Sequence, residues 1–133
     1  MLDTERTSAT IMVIDDDVDI VRILKEHLEN EGYSVLPGYD GQMALNLLKM
    51  RRPHLLILDI QMPMTNGLKV LEFMRKAEET RGIPVILLSG AQSQGVYQVV
   101  DSLPRVAFIK KPLDIENINS LVCQYLQQYP LPA

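Results

Sequence analysis

The chain has 133 residues, of which 47% are hydrophobic and 23% are charged, and its formal net charge is −4. This length suits one domain with a real core, and the acidic balance argues against direct nucleic-acid binding, which needs a basic face. No apolar stretch approaches the roughly 18 residues of a membrane span, and the polar first ten residues contain no secretory signal. We therefore expect a cytoplasmic protein without membrane association.

The first half of the chain predicts two strands and two helices. An apolar run at residues 11–14 is followed by Ile20, Leu24 and Leu28 at helical spacing, and Gly32 ends that helix. Residues 34–36 form a short strand before a Pro-Gly turn. A second helix is capped by Asp40 and stopped by Pro53. Its inward residues are expected to be Met43, Ala44, Leu47 and Leu48.

The second half repeats the alternation. Further strands are predicted at residues 55–58, 85–88 and 106–109. A third helix contains Leu68, Leu71 and Met74 and ends near Gly82, and residues 92–103 form a weaker helix around Gly95. The last helix begins at Asp114 and buries one face, made of Ile115, Ile118, Val122 and Tyr125. The lone cysteine, Cys123, is expected to be a small buried hydrophobe, and it excludes an internal disulfide framework.

Five strands that alternate strictly with five helices predict an α/β fold. Short continuous apolar runs are typical of parallel strands buried on both faces. We expect a doubly wound (βα)5 sheet with the flavodoxin-like strand order 2-1-3-4-5. The domain should span residues 10–128, between an N-terminal tail at 1–9 and a C-terminal tail at 129–133.

Polar residues follow four of the apolar runs. Asp15 and Asp16 follow the first run, Asp59 the third, Ser89 the fourth and Lys111 the fifth. Because the carboxyl ends of parallel strands lie at one edge of the sheet, these side chains should converge. Clustered carboxylates repel one another, which raises their pKa values unless a cation is present. The pattern indicates a site for a divalent cation and a phosphoryl group.

These residues resemble the receiver domain of two-component response regulators. The resemblance covers residues 10–128 and rests on four motifs in order: Asp15-Asp16, Asp59-x-x-Met62-Pro63-x-x-x-Gly67, Ser89 and Lys111-Pro112. It implies a phosphorylatable switch, and not a metabolic enzyme. Such a switch receives its phosphoryl group from a histidine kinase or a phosphotransfer protein and changes its surface for a downstream effector.

The resemblance also implies a role for each site residue. Asp59 is the phosphoryl acceptor, and Lys111 pairs with a phosphoryl oxygen. Asp16, Asp59 and the backbone carbonyl of Gln61 bind Mg²⁺, and Asp15 reaches the ion directly or through water. Lys111-Pro112 corresponds to a cis peptide of the family. Ser89 and Phe108 are the switch residues, the first by hydrogen-bonding the phosphoryl group and the second by turning inward.

Simpler interpretations stay open for several of these residues. Asp17 is expected to cap the first helix, Ser89 can cap the helix that follows it, and Phe108 can be plain core packing. Lys110 is expected to be a solvated surface lysine. His27 and His54 lack metal-ligand spacing and are interpreted as surface or satisfied histidines. Residues 101–106 lack the charged pattern of many dimerising regulators, so a homodimer is only an option.

Two other function classes compete with the switch. A phosphatase of the haloacid dehalogenase type would use Asp15-x-Asp17 after the first strand, together with Ser89 and Lys111. That plan needs a further acidic motif after the fourth strand and usually a cap insertion, and the sequence has neither. The other alternative is a pseudo-receiver that only binds partners, although retention of all five site residues argues against it.

Overall fold

The computed structural model describes residues 9–62, 66–90 and 104–129 and shows a sheet covered by helices. The five strands are β1 (Thr10–Ile14), β2 (Ser34–Gly38), β3 (Leu55–Asp59), β4 (Val85–Ser89) and β5 (Val106–Lys110). The helices are α1 (Val18–Asn30), α2 (Gly41–Met50), α3 (Gly67–Lys76) and α4 (Ile115–Gln128). The weaker helix predicted at residues 92–103 lies outside the described residues.

All neighbouring strands pair in parallel, in the order β2-β1-β3-β4-β5, which confirms the predicted topology. Every residue of β3 and β4 is buried, as expected when helices cover both faces of a parallel sheet. Ile14 pairs with Leu58 at the carboxyl ends of β1 and β3. The loops that begin at Asp15 and after Asp59 are therefore neighbours.

Alternating side chains of the strands build two cores. Ile11 and Val13 of β1 point to the core beneath α1 and α4, whereas Met12 and Ile14 point to the core beneath α2 and α3. Strand side chains alternate between the two faces of a sheet, which explains this division. Each helix contributes its buried stripe to one of these cores, as Leu24 and Leu28 do for α1.

Helix ends follow the capping chemistry of the sequence. Asp17, Asp40 and Asp114 cap α1, α2 and α4, and each accepts one or two backbone N–H groups from the first turn. This confirms the predicted caps at Asp17 and Asp40 and the predicted start of the last helix at Asp114. Asn66 caps α3 in the same way. Gly32 follows the end of α1 with a φ of 100°, a left-handed conformation that glycine adopts without strain.

Two predictions for the first half of the chain were wrong. Strand β2 runs through Pro37 to Gly38 and does not stop before them. Proline is tolerated there because β2 is an edge strand of the sheet. Met43 was expected to face inward but is 37% exposed, and Ala44 and Leu48 carry the buried stripe of α2.

Helix α3 and Cys123 also differ from expectation. Helix α3 ends at Lys76, well before Gly82. The buried hydroxyl of Thr80 donates to the Met74 carbonyl at 2.8 Å, and Arg75 donates to the Ile83 carbonyl at 2.9 Å, so side chains bind the carbonyl groups of this turn. Cys123 is only partly buried, because its position on α4 lies beside the inward stripe of Ile118, Val122 and Tyr125.

Ala9 and Tyr129, the described residues of the two predicted tails, form backbone hydrogen bonds with the domain. The Ala9 carbonyl accepts a hydrogen bond from Ser34 N–H at 3.0 Å, and Tyr129 N–H donates to the Tyr125 carbonyl at 2.9 Å. Residues 1–8 and 130–133 lie outside the described residues. In the described part of the chain, no helix has the length and apolarity needed to cross a membrane.

Candidate functional site

Three carboxylates meet at the carboxyl edge of the sheet, as the sequence predicts. Asp15, Asp16 and Asp59 each offer an oxygen atom within 4.8 Å of the others. Asp15 and Asp59 are buried, whereas Asp16 is exposed. Asp17 does not belong to this cluster, because its side chain caps α1. This separates Asp17 from the Asp15-x-Asp17 arrangement that a haloacid dehalogenase-type phosphatase would use.

Backbone geometry at the strand ends fixes the two buried carboxylates. Asp15 Oδ1 accepts a hydrogen bond from Asp17 N–H at 2.9 Å, and Asp59 Oδ1 accepts one from Gln61 N–H at 3.3 Å. The Gly38 carbonyl accepts from Asp15 N–H at 3.2 Å. Gly38 was not among the site residues predicted from sequence, although its place after the second apolar run marks the same edge of the sheet.

Gly67 allows α3 to begin directly against the end of β3. Its N–H donates to the Ile60 carbonyl at 2.8 Å. A Cβ at this position would overlap the backbone carbonyl oxygen of Asp59, which is not free to move because it belongs to the sheet. The glycine of the motif that begins at Asp59 therefore has a steric reason. Pro63 of the same motif lies outside the described residues.

Lys111 reaches the carboxylates from the end of β5. Its Nζ atom lies 3.0 Å from Asp15 Oδ2 and 3.5 Å from Asp59 Oδ1, and its side chain is 25% exposed. The backbone N–H of Lys111 donates to the Ser89 carbonyl at 2.8 Å, which joins β5 to the end of β4. The Lys111-Pro112 bond is cis, as the family resemblance implies. Lys110 is exposed, as expected for a solvated surface lysine.

The pKa values of the buried groups are strongly perturbed. Burial raises the pKa of Asp59 to about 7, with the charge of Asp15 as the second cause and the Lys111 ammonium acting against both. Burial also raises the pKa of Asp15. Burial alone would lower the pKa of Lys111, but its close contact with Asp15 and the negative charges of Asp15 and Asp59 outweigh this and raise it. Repulsion between carboxylates, which the sequence suggested as the cause of raised pKa values, thus raises the pKa of Asp59 less than burial does.

The cluster has the chemistry of a divalent cation site. Three ionised carboxylates and one ammonium leave two negative charges. Within the described residues, the buried Oδ2 atom of Asp15 has its ion pair with Lys111 but accepts no hydrogen bond of good geometry. Carboxylate oxygens are the ligands that hard cations such as Mg²⁺ prefer. The residues present therefore fit the cofactor expected from sequence.

The two predicted switch residues lie on β4 and β5. Ser89 is fully buried at the end of β4. Phe108 pairs with Leu87 in the β4–β5 register and is partly buried against the core beneath α2 and α3. The Gln61 amide oxygen lies near Gly90, since a Cβ built there would be 3.2 Å from it. Ser89 thus lies at the carboxyl end of β4 and Phe108 in the middle of the neighbouring strand β5, while their switching roles stay predictions.

The two histidines do not join the site. His54 lies before β3, at the opposite edge of the sheet, and its Nδ1 atom accepts a hydrogen bond from Thr10 N–H at 2.8 Å. This agrees with the interpretation of His54 as a satisfied histidine. His27 lies in the last turn of α1, where its Nε2 atom is buried and makes no hydrogen bond within the described residues.

Comparison with known proteins gives one consistent family. The model of the response regulator receiver domain matches residues 11–123. Polar-differentiation response regulator DivK of Brucella anthropi is 27% identical over 117 residues, which cover 88% of this chain and 95% of DivK.

Solved structures show the same likeness. The receiver domain of a signal transduction histidine kinase from Syntrophus aciditrophicus has a TM-score of 0.82 at 30% identity, covering 95% of this chain and 96% of that one. NtrX from Brucella abortus has a TM-score of 0.82 at 27% identity, over 92% of this chain but 28% of NtrX. The likeness therefore covers nearly all of the Syntrophus receiver domain but only about a quarter of NtrX.

Proposed function

This chain belongs to the response regulator receiver domain family, and from that premise we propose that it accepts a phosphoryl group on Asp59 in the presence of Mg²⁺. The donor is a histidine kinase or a phosphotransfer protein, and the phosphorylated surface is read by a downstream effector. The chain acts in the cytoplasm as a signalling switch and not as a metabolic enzyme. A haloacid dehalogenase-type phosphatase is the alternative that the experiment below distinguishes.

The surroundings of Asp59 suit a phosphoryl acceptor, and its place in the Asp59-x-x-Met62-Pro63-x-x-x-Gly67 motif distinguishes it from Asp15, which lies in the same cluster. Asp59 is a buried carboxylate that has both a lysine ammonium at 3.5 Å and two further carboxylates beside it. In the transfer, an Asp59 oxygen forms a bond to phosphorus, and the bond from phosphorus to the donor breaks. The departing donor atom keeps the electron pair. Charge on the phosphoryl oxygens must be neutralised during this step, because a carboxylate is a weak nucleophile.

The cation would be held by the exposed and buried carboxylates together. Asp16, Asp59 and the backbone carbonyl of Gln61 are its proposed direct ligands, and Asp15 reaches it directly or through water. When bound, Mg²⁺ supplies positive charge to the phosphoryl oxygens and favours the ionised form of the carboxylates. This second effect matters because a pKa of about 7 leaves much of Asp59 protonated at neutral pH.

Lys111 and Ser89 complete the proposed site. The Lys111 ammonium, which pairs with Asp15 and Asp59 in this state, would move to a phosphoryl oxygen, a point-charge role that suits lysine. The Ser89 hydroxyl would bind another phosphoryl oxygen, and Phe108 would turn inward behind it. New bonds at the ends of β4 and β5 supply the energy difference between the two states that a switch requires. The proposed output surface is therefore on the β4–β5 side of the domain.

Mass spectrometry after incubation with acetyl phosphate and Mg²⁺ tests this function. We expect one phosphoryl adduct per chain, mapped to Asp59 and absent from Asp59→Asn. Asp19→Asn is the matched control, because Asp19 is an exposed carboxylate on α1, and it should label like the wild type. An adduct on Asp15 with turnover would favour the phosphatase, and no adduct with several donors would favour the pseudo-receiver.

A further inference from the structure

A cavity of about 480 Å³ lies beneath the amino ends of β3, β4 and β5. Its volume falls within the range of small-molecule sites. Pro53, Ile83 and Pro84 line it and are buried, so it has an apolar floor. Five-residue strands separate this edge of the sheet from the carboxylate cluster by about 16 Å. The cavity is therefore distinct from the proposed phosphorylation site.

Charged side chains of both signs line this cavity without pairing. Arg52 and Arg105 are its cationic residues, and Glu78 and Glu79 its anionic ones. The described residues contain no ion pair that involves any of these four. The cavity thus offers charged groups of both signs that are not paired directly with each other in this structure.

Arg105, one of the two cationic residues of the cavity, is held in place before any ligand binds. Arg105 donates from Nη1 to the Gly82 carbonyl at 2.8 Å, and its guanidinium lies 4.6 Å from the centre of the Tyr129 ring. Its φ is 61°, a backbone conformation that residues other than glycine rarely adopt. Arg75 binds the Pro104 carbonyl at 3.3 Å and so fixes the same turn. Such preorganisation lowers the entropy cost of binding.

His54 adds a neutral hydrogen-bond donor to the lining. Its Nδ1 atom accepts from Thr10 N–H at 2.8 Å, so the proton of the neutral ring must be on Nε2. Burial lowers the pKa of His54, which keeps the ring neutral near pH 7. Within the described residues, Nε2–H donates no hydrogen bond. The His54 ring therefore offers an uncommitted N–H group.

We propose that this cavity binds a small zwitterion with an apolar side chain, such as a free amino acid or a dipeptide. Its carboxylate would be bound by Arg52, Arg105 and the Nε2–H group of His54, and its ammonium by Glu78 and Glu79. The apolar floor would receive the side chain. A ligand with only one sign of charge would leave one set of these charged residues unpaired.

NMR titration of the full chain in EDTA tests the proposal, with L-leucine as the probe. We expect saturable shifts of backbone amides at residues 52, 54, 78–83 and 105. N-acetyl-L-leucine lacks the ammonium and L-leucinamide lacks the carboxylate, so each should bind at least about tenfold more weakly. Equal binding of all three compounds, or no saturable shift at millimolar L-leucine, would overturn the proposal.

Variants assign the two ends of the ligand. Arg52→Gln should reduce the preference for L-leucine over L-leucinamide, and the double variant Glu78→Gln/Glu79→Gln should reduce the preference over N-acetyl-L-leucine. Glu72→Gln, an exposed position on α3, is the matched control and should leave both preferences intact. Retention of both preferences in the cavity variants would refute the assignment. Asp59→Asn should bind like the wild type, so this result is independent of the phosphorylation proposal.

Discussion

Replacing Asp59 by asparagine should stabilise the folded protein in the absence of divalent cations. Asparagine keeps the size of the side chain and an oxygen that can accept from Gln61 N–H, but it removes a charge from a side chain that is 2% exposed. Burial and the charge of Asp15 raise the pKa of Asp59 from 3.8 to about 7. This difference is about three pH units, and each unit corresponds to about 1.36 kcal/mol. The ionised carboxylate therefore costs the folded state up to about 4 kcal/mol.

The sign of this effect fixes its pH dependence. Because the folded-state pKa of Asp59 is the higher one, the folded protein binds this proton more tightly than the unfolded chain. The cost is absent below about pH 3.8, grows as the pH rises towards about 7, and is constant above that. The advantage of Asp59→Asn should therefore be small at pH 4 and largest at pH 7 and above.

Urea unfolding followed by far-UV circular dichroism measures this directly, in EDTA and from pH 4 to pH 8. At pH 7 or above, a gain of up to about 4 kcal/mol corresponds to roughly 10 to 20 °C in Tm for a domain of this size. Glu72→Gln removes a carboxylate from an exposed position and should show no such gain. Two results would refute the argument from burial. One is a gain in the free energy of unfolding of Asp59→Asn that does not change with pH, and the other is equal stability of Asp59→Asn and the wild type at pH 8.

Three further outcomes follow from the site. Mg²⁺ should raise the Tm of the wild type by mass action, and Asp16→Ala should abolish that rise; persistence of the rise would contradict the metal assignment. Lys111→Met should lower the free energy of unfolding at pH 8 by roughly 3 kcal/mol, because buried Asp15 loses its counter-charge; an equal loss at pH 4 would contradict this cause. Ser89→Ala should still accept a phosphoryl group on Asp59, but beryllofluoride should cause smaller changes in its hydrogen exchange at residues 89–112 than in the wild type. Changes confined to residues 40–52 would contradict a switch that acts through Ser89 and β5.

The fold was predictable from sequence because its strands are short, apolar and buried on both faces. Runs such as residues 55–58 have no polar position that would mark an exposed face, which is typical of parallel strands. The site was predictable for a related reason. Parallel strands bring their carboxyl ends to one edge, so Asp15, Asp59 and Lys111 meet without any contact being known in advance.

Features that depend on long-range contacts were not predictable. The end of α3 is set by Thr80 and by Arg75, whose guanidinium also reaches the Pro104 carbonyl, 29 residues along the chain. The outward position of Met43 depends on how α2 is rotated against the sheet. Helical spacing alone does not decide which of two neighbouring residues, such as Met43 and Ala44, faces the core. Burial is the main cause of the raised pKa of Asp59, and this could be recognised only from the folded structure. The sequence shows which charged residues can be neighbours, but it does not show how deeply the Asp59 side chain is buried.

A crystal structure with Mg²⁺ and beryllofluoride would test the acceptor and its surroundings most directly. We expect beryllium bonded to an Asp59 carboxylate oxygen, and Mg²⁺ in contact with Asp16, Asp59 and the Gln61 backbone carbonyl. The Lys111 ammonium should have left Asp15 for a fluorine atom. Beryllofluoride on a different carboxylate, or Mg²⁺ bound without Asp16, would contradict the proposed site.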